Sequence, residues 1–191
     1  MTNGDILDLM TELGARRDGH FLLSSGRHSD AYYQCAQILQ FPDLALELGR
    51  SIANLYAEED FDLVVSPAIG AVLLGHEVAR ALGRRYVFTE RKDGVMSLRR
   101  DFRIEKGERV LIVEDVVTRG TSTREVIDIV AAEGGVVAGL ACLVDRTGAD
   151  VELPLPLASL MKVEVVTWEQ SDCPLCRESV PLVKPGSRGS V

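Results

Sequence analysis

The run Val110-Leu111-Ile112-Val113-Glu114-Asp115-Val116-Val117-Thr118-Arg119-Gly120-Thr121-Ser122-Thr123 has the residue types to do chemistry. Its apolar start predicts a buried strand that ends in two adjacent carboxylates. A short Thr, Gly and Ser loop follows, and a helix is expected from about Ser122. Loop amides and the positive end of a helix dipole make a seat for a phosphate. The hydroxyls of Thr118, Thr121 and Ser122 add donors, and Gly120 allows a close approach or a positive φ. Two acids beside an anion site repel the anion unless something neutral or cationic lies between them. A ribose satisfies that condition: its vicinal hydroxyls donate to the acids while its 5-phosphate sits in the loop. A divalent cation would ease the repulsion further. No Gly-Lys-Ser/Thr follows the glycine, so this is not a Walker loop, and no Gly-x-Gly-x-x-Gly is present. The plain alternative is an acidic turn that caps a helix.

Such a string needs a frame. Ile6, Leu7, Leu9, Met10 and Leu13 predict a helix over about 5–14. Short strands are expected over 21–23 and 31–39, and Pro42 opens a helix that runs to about 58. Strand and helix then alternate: strands over 61–65, 86–89, 109–113, 136–144 and 163–167, helices over 70–83 and 122–133. That alternation predicts an α/β fold with a parallel sheet covered on both faces, and ligands in such sheets bind at the carboxyl ends of the strands. Three polar clusters fall at those ends, at 66–70, 114–122 and 145–146. Residues 90–106 carry Arg91, Lys92, Arg99, Arg100, Arg103 and Lys106 and read as a long mobile loop.

The 191 residues suit one domain, and 46% apolar with 26% charged residues suits a folded one. The net charge of −8 argues against general nucleic-acid or anionic-membrane binding. Neither a secretory leader nor a membrane-spanning run is visible, so the cytoplasm is the expected compartment.

The string from Val110 to Thr123 resembles the phosphoribosyl-pyrophosphate (PRPP) motif of type I phosphoribosyltransferases. Phe21-Leu22-Leu23-Ser24-Ser25-Gly26-Arg27-His28-Ser29-Asp30-Ala31-Tyr32-Tyr33 resembles the N-terminal base-recognition segment of orotate phosphoribosyltransferases. Leu143-Val144-Asp145-Arg146 is similar to their segment that ends in a base-contacting arginine. The resemblance implies a parallel-sheet type I fold with a small N-terminal hood (residues 1–40), a PRPP-binding core (60–150) and a flexible lid, while the Pro/Gly/Ser-rich composition of 181–191 predicts a tail that frays. It implies transfer of phosphoribose from PRPP to orotate with Mg2+, in a homodimer.

Carried over residue by residue, Glu114 and Asp115 hold the ribose hydroxyls, Asp115 being the expected catalytic acid. Residues Val116, Val117, Thr118, Arg119, Gly120, Thr121 and Ser122 form the PRPP loop, with Thr118 also near the base. Ala68, Ile69 and Gly70 take the place of the pyrophosphate loop. Arg146 meets the orotate carboxylate, with Ser24, Ser25, Gly26 and Arg27 around the base. Lys92 contacts PRPP, from this subunit or its neighbour, as a second catalytic candidate. The chain departs from the family in two places. Ile69 stands where many orotate enzymes have lysine, and the lid has one lysine and no histidine. Arg99, Arg100 and Arg103 are the alternative cations for the leaving group. Competing readings are a phosphoribosyltransferase for another base and a PRPP-binding transcriptional regulator.

Other side chains receive plainer readings. His28 is either near the base or on the surface, and His76 is structural within its helix. Cys35 and Cys142 are buried thiols. Cys173-Pro174-Leu175-Cys176 has half the spacing of a zinc site, which needs two further ligands. No second Cys-x-x-Cys or His pair exists in the sequence. Two reduced thiols are expected, with zinc shared across a dimer or a redox pair as alternatives.

Overall fold

The structure is a computed structural model, and it describes residues 3–23, 25–148, 151–164 and 166–185. In chain order the elements are α1 (Asn3–Glu12), β1 (Arg16–Leu22), β2 (His28–Tyr33), α2 (Ala36–Leu39), α3 (Pro42–Asn54), β3 (Leu63–Pro67), α4 (Val72–Leu82), β4 (Arg85–Lys92) and β5 (Val95–Leu98). They continue as β6 (Arg109–Val117), α5 (Thr121–Ala132), β7 (Val136–Asp145), β8 (Leu157–Lys162), β9 (Thr167–Trp168), a 3-10 turn at Gln170–Asp172, α6 (Pro174–Arg177) and β10 (Leu182–Val183). None of the described helices is long and apolar enough to cross a membrane.

Six strands form the main sheet in the order β5-β4-β3-β6-β7-β8. All neighbours are parallel except the edge strand β5. Side chains alternate across a strand, so one sheet feeds two cores. Val64, Leu111, Val113, Ala141 and Leu143 pack with α1, α3 and α4 residues such as Met10, Leu48 and Leu74. Leu63, Val65, Val110 and Ile112 face the other way, against Val126 and Val130 of α5. Burial on both faces explains why β3 and β6 read as unbroken apolar runs.

A second sheet has the order β10-β1-β2-β9. β1 and β2 form an antiparallel hairpin with Leu22 opposite His28. Their outer partners come from the far end of the chain: His20 pairs with Leu182, and His28 with Trp168. The hood expected from residues 1–40 is thus closed by residues beyond 166. The tail, expected to fray from 181, begins as a strand at Leu182 because β1 offers it an open edge; residues 186–191 and Ser24 lie outside the described residues.

Three other expectations change. Only the first part of 31–39 is extended, because Cys35, Ile38 and Leu39 are buried at helical spacing and fold as α2. Instead of one strand over 163–167, β8 comes earlier and β9 later; Pro154 and Pro156 had masked the start of β8. Residues 90–106 are not an irregular loop throughout. The end of β4 and β5 make a hairpin that turns at Asp93 and Gly94, both with positive φ. Met96 and Ile104 anchor this stretch as buried apolar residues among the arginines. Cys35 and Cys142 are buried as expected, and His76 rides on α4 edge-on to Tyr86.

His28 overturns the surface reading, and His20 joins it. His20 lies two residues before Leu22, the partner of His28, so both rings project from one face of the hairpin. The segment between β9 and β10 covers that face, and both rings are buried against its cysteines.

Candidate active site

β3, β6 and β7 lie side by side, so the three polar clusters at their carboxyl ends share one rim of the main sheet. Val117 pairs with Asp145, and the Arg146 amide donates to the Val117 carbonyl at 2.8 Å. The two ends of the expected site, the acid-rich string and the Asp145-Arg146 pair, are therefore neighbours.

Glu114 is buried and Asp115 half-buried. The Thr123 hydroxyl, one turn into α5, donates to Glu114 Oε1 at 3.0 Å. Burial, and then the nearby Asp115, push the Glu114 carboxyl up to about 8 despite that bond. Burial also raises Asp115, against amide donation from Val116 and from Asp115 itself. That shift favours the protonated form of Glu114 at neutral pH. The pair then carries less charge than two free carboxylates would, and it disturbs a neighbouring anion less.

Beyond the acids, Gly120 takes φ 67° as the residue before α5. A side chain there would be strained by that φ and would also lie 2.9 Å from Leu153 Cδ2. Arg124 fixes the loop from behind by donating to the carbonyls of Arg119 at 2.7 Å and Glu152 at 2.6 Å. The first amides of α5, at Thr121, Ser122 and Thr123, have no partner within the helix. They point out of its positive end beside the exposed Thr118 and Arg119. Val116 and Val117 belong to β6 itself, and Val117 is buried.

Across the rim, Ala68, Ile69 and Gly70 follow β3, with a cis peptide between Ala68 and Ile69. A Cβ on Gly70 would meet Asp115 Oδ2 at 2.4 Å, so only glycine lets this loop lie against the acid. Ile69 is 84% exposed and contributes no charge.

On the other side, the Arg146 guanidinium stacks over the Tyr33 ring with 5.0 Å to the centroid. Among the described residues it forms no ion pair, and its Nε is buried without a hydrogen-bond partner. Burial lowers its pKa, an effect that a bound anion would oppose. Tyr32 feels both Asp115 and Arg146. Ser25 and Gly26 form the turn between β1 and β2, closed by the Gly26 amide on the Leu23 carbonyl at 2.9 Å. Arg27, expected at the base, is held by β9. Its guanidinium donates to the Thr167 hydroxyl at 2.9 Å and the Thr167 carbonyl at 2.8 Å, and it pairs with Glu169.

The hairpin holds the remaining candidates. Lys92 is exposed near its tip and makes no ion pair among the described residues. Arg91 pairs with Glu125 of α5, while Arg99 and Arg100 both pair with Glu90. Of the three lid arginines, Arg103 alone makes no ion pair among the described residues.

Comparisons with known proteins give the family and the fold. The phosphoribosyl transferase domain family matches residues 34–154. An orotate phosphoribosyltransferase of Caldicellulosiruptor bescii is 48% identical over 188 residues, 98% of this chain and 99% of its own. That of Pelotomaculum thermopropionicum is 49% identical over 188 residues, with the same shares covered. Among solved structures, the Mycobacterium tuberculosis orotate phosphoribosyltransferase in complex with inorganic phosphate superposes with TM-score 0.66 at 28% identity, covering 84% of this chain and 95% of that one. An adenine phosphoribosyltransferase from Thermoanaerobacter pseudethanolicus, at 20% identity and TM-score 0.62, shares the fold over 70% of this chain and 88% of its own. With its acid pair, helix-end cradle and unpaired arginine on one rim, the chain belongs to the orotate phosphoribosyltransferase family.

Proposed function

We propose that the rim formed by β3, β6 and β7 binds PRPP and orotate, and that the enzyme joins orotate nitrogen to the ribose anomeric carbon as pyrophosphate leaves, giving orotidine 5′-monophosphate for pyrimidine synthesis. The observation that carries this reading is the placement of three unlike anchors on one rim: the Glu114-Asp115 pair, the α5 amide cradle and the unpaired Arg146 guanidinium. Each suits a different part of the two substrates. Asp115, with Glu114 behind it, accepts from the ribose hydroxyls. Thr118 to Ser122 hold the 5-phosphate. Residues 68–70, set against Asp115, take the pyrophosphate side. Arg146 offers a planar fork to the orotate carboxylate, with the turn at Ser25 and Gly26 alongside.

Displacement at the anomeric carbon builds positive charge on the ribose while negative charge collects on the departing oxygens. Orotate is itself the nucleophile, so no protein nucleophile is required. The two acids fit Mg2+ in a restricted way. Both are pushed toward their neutral forms and one is bonded to Thr123, so they cannot build a closed cage, and the ion would share substrate oxygens and waters. When bound, it supplies charge neutralisation to pyrophosphate. Lys92 and Arg103, on or beside the β4–β5 hairpin and without an ion pair among the described residues, are the lid cations suited to the same purpose. Lys92 acts within its own subunit or reaches the neighbouring one in a homodimer. The enzyme works in the cytoplasm.

A substrate panel tests the reading. Orotate, uracil, hypoxanthine and adenine are each offered with PRPP and Mg2+. Orotate alone should be consumed. Arg146→Ala should raise the KM for orotate by roughly 10–100-fold, the worth of a lost charge-assisted hydrogen bond, and leave that for PRPP nearly unchanged. Consumption of another base in place of orotate, or equal losses for both substrates, overturns the assignment.

A further inference from the structure

The cluster under the hood takes no part in the proposed reaction. The His20 Nε2 and His28 Nδ1 atoms are 2.8 Å apart. Cys173 Sγ lies 3.4 Å from His20 Nε2, and Cys176 Sγ lies 3.8 Å from that atom and 3.4 Å from His28 Nδ1. All four donor atoms fall within 4.8 Å of one another, with three of the residues buried and the fourth half-buried. We propose that His20, His28, Cys173 and Cys176 form a closed tetrahedral site for a structural zinc ion, which pins the β1–β2 hairpin to the segment between β9 and β10.

Geometry supports this first. Zinc bonds of about 2.0–2.1 Å to nitrogen and about 2.3 Å to sulfur give tetrahedral edges of about 3.3 Å for N···N, about 3.6 Å for N···S and about 3.8 Å for S···S. The three sulfur–nitrogen separations of 3.4, 3.8 and 3.4 Å scatter around that edge. To take the ion, the nitrogen pair opens by about half an ångström, and the remaining separations, up to 4.8 Å, close toward these edges.

Proton placement supports it independently. His20 Nδ1 lies 2.8 Å from the Val180 carbonyl, which can only accept. That bond puts the ring proton on Nδ1 and leaves the Nε2 lone pair facing His28 and the two sulfurs. A backbone carbonyl holding the remote nitrogen of an imidazole is the usual support behind a metal ligand.

Charge is the third argument. Zn2+ displaces one proton from each thiol, and two thiolates with two neutral imidazoles leave the complex with no net charge. A neutral complex tolerates burial where a bare ion does not. Four protein ligands also leave no position for water or substrate, which separates a structural site from a catalytic one.

The fold has a use for such a pin. β9 and β10 contribute two residues each to the hood sheet, too few to hold themselves. His28 directly follows Arg27, whose guanidinium grips β9. A zinc ion there joins residues 20 and 28 to 173 and 176 and fixes the turn between the two strands from behind.

The test uses the full untagged chain purified without chelators. Metal analysis should find about one zinc per chain, released when a mercurial caps the thiols. Cobalt added to the zinc-free chain should give thiolate charge-transfer absorption and the intense visible bands of tetrahedral coordination. The Cys173→Ser/Cys176→Ser variant should lose both zinc and spectrum. If that variant does not fold, the cobalt spectrum of the unaltered chain still decides. Fewer than about 0.1 zinc per chain together with no cobalt–thiolate absorption overturns the proposal. So does wild-type zinc content in the double serine variant, or a Cys173–Cys176 disulfide in protein purified under reducing conditions.

Discussion

In the main sheet, Glu114 and Asp115 end a strand whose preceding residues, Val110 to Val113, are wholly buried between two helical layers. In the hood, His20 and His28 sit on strands that mix Arg, Asp, Gly and Ser with a few apolar residues, and their outer partners are two residues long. Both regions hold polar groups away from water. The rim does so on an apolar foundation, and the strain of that burial shows in acids pushed toward their neutral forms. Within the strands of the hood sheet only Phe21 and Tyr33 are buried apolar residues, and the polar side chains converge on one another instead. Position at the rim is inherited from the core, whereas position in the hood depends on a local tie.

Substitutions can break that contrast. The largest expected effect is on chemistry without stability. Asp115→Asn should cut kcat/KM by about 10²–10³-fold, the scale for loss of one preorganised polar group. Its melting temperature should stay close to that of the parent, because the strand beneath it is untouched; a large drop would mean that the acid holds up the rim. Next comes Leu111→Ala, which empties part of the core and should cost about 2–5 kcal/mol in denaturant unfolding. That cost should be the same before and after zinc removal, while the unaltered protein itself loses stability on zinc removal. A core penalty that depends on the metal would show that rim and hood are one energetic unit.

The smallest effect is on pH dependence. The folded carboxyl of Glu114 titrates near 8, above its unfolded value of about 4.3. The folded form therefore keeps a proton that the unfolded chain gives up. Its stabilising contribution is complete below the unfolded value and disappears as pH rises through 8. Glu114→Gln removes this titration. Melting curves at pH 5 and pH 8 should show the parent losing more stability than the variant over that interval; parallel losses would mean that Glu114 is ionised in the fold.

Much of the rim is visible in the residues themselves. An apolar run, paired acids, a glycine and small hydroxyls in one string specify a strand, a turn and a helix start, and each step is local. The hood is different. Nothing near His20 or His28 announces Cys173 and Cys176, because the contact spans about 150 positions of chain and depends on two very short strands that no periodicity marks. A ligand search confined to nearby spacings finds half a site. The β4–β5 hairpin was hidden for another reason: its arginines outnumber Met96 and Ile104, and composition alone reads as loop. The contacts that Arg27 makes with Thr167 and Glu169 were invisible for the same reason as the cysteines, since both partners lie far along the chain.

The pairing of β1 with β10 and of β2 with β9 also sets an order on biosynthesis. Every strand of the large sheet has left the ribosome once Lys162 has emerged, so that sheet can assemble on the nascent polypeptide. Arg16 to Tyr33 must wait with open edges until Leu182 and Val183 have been made.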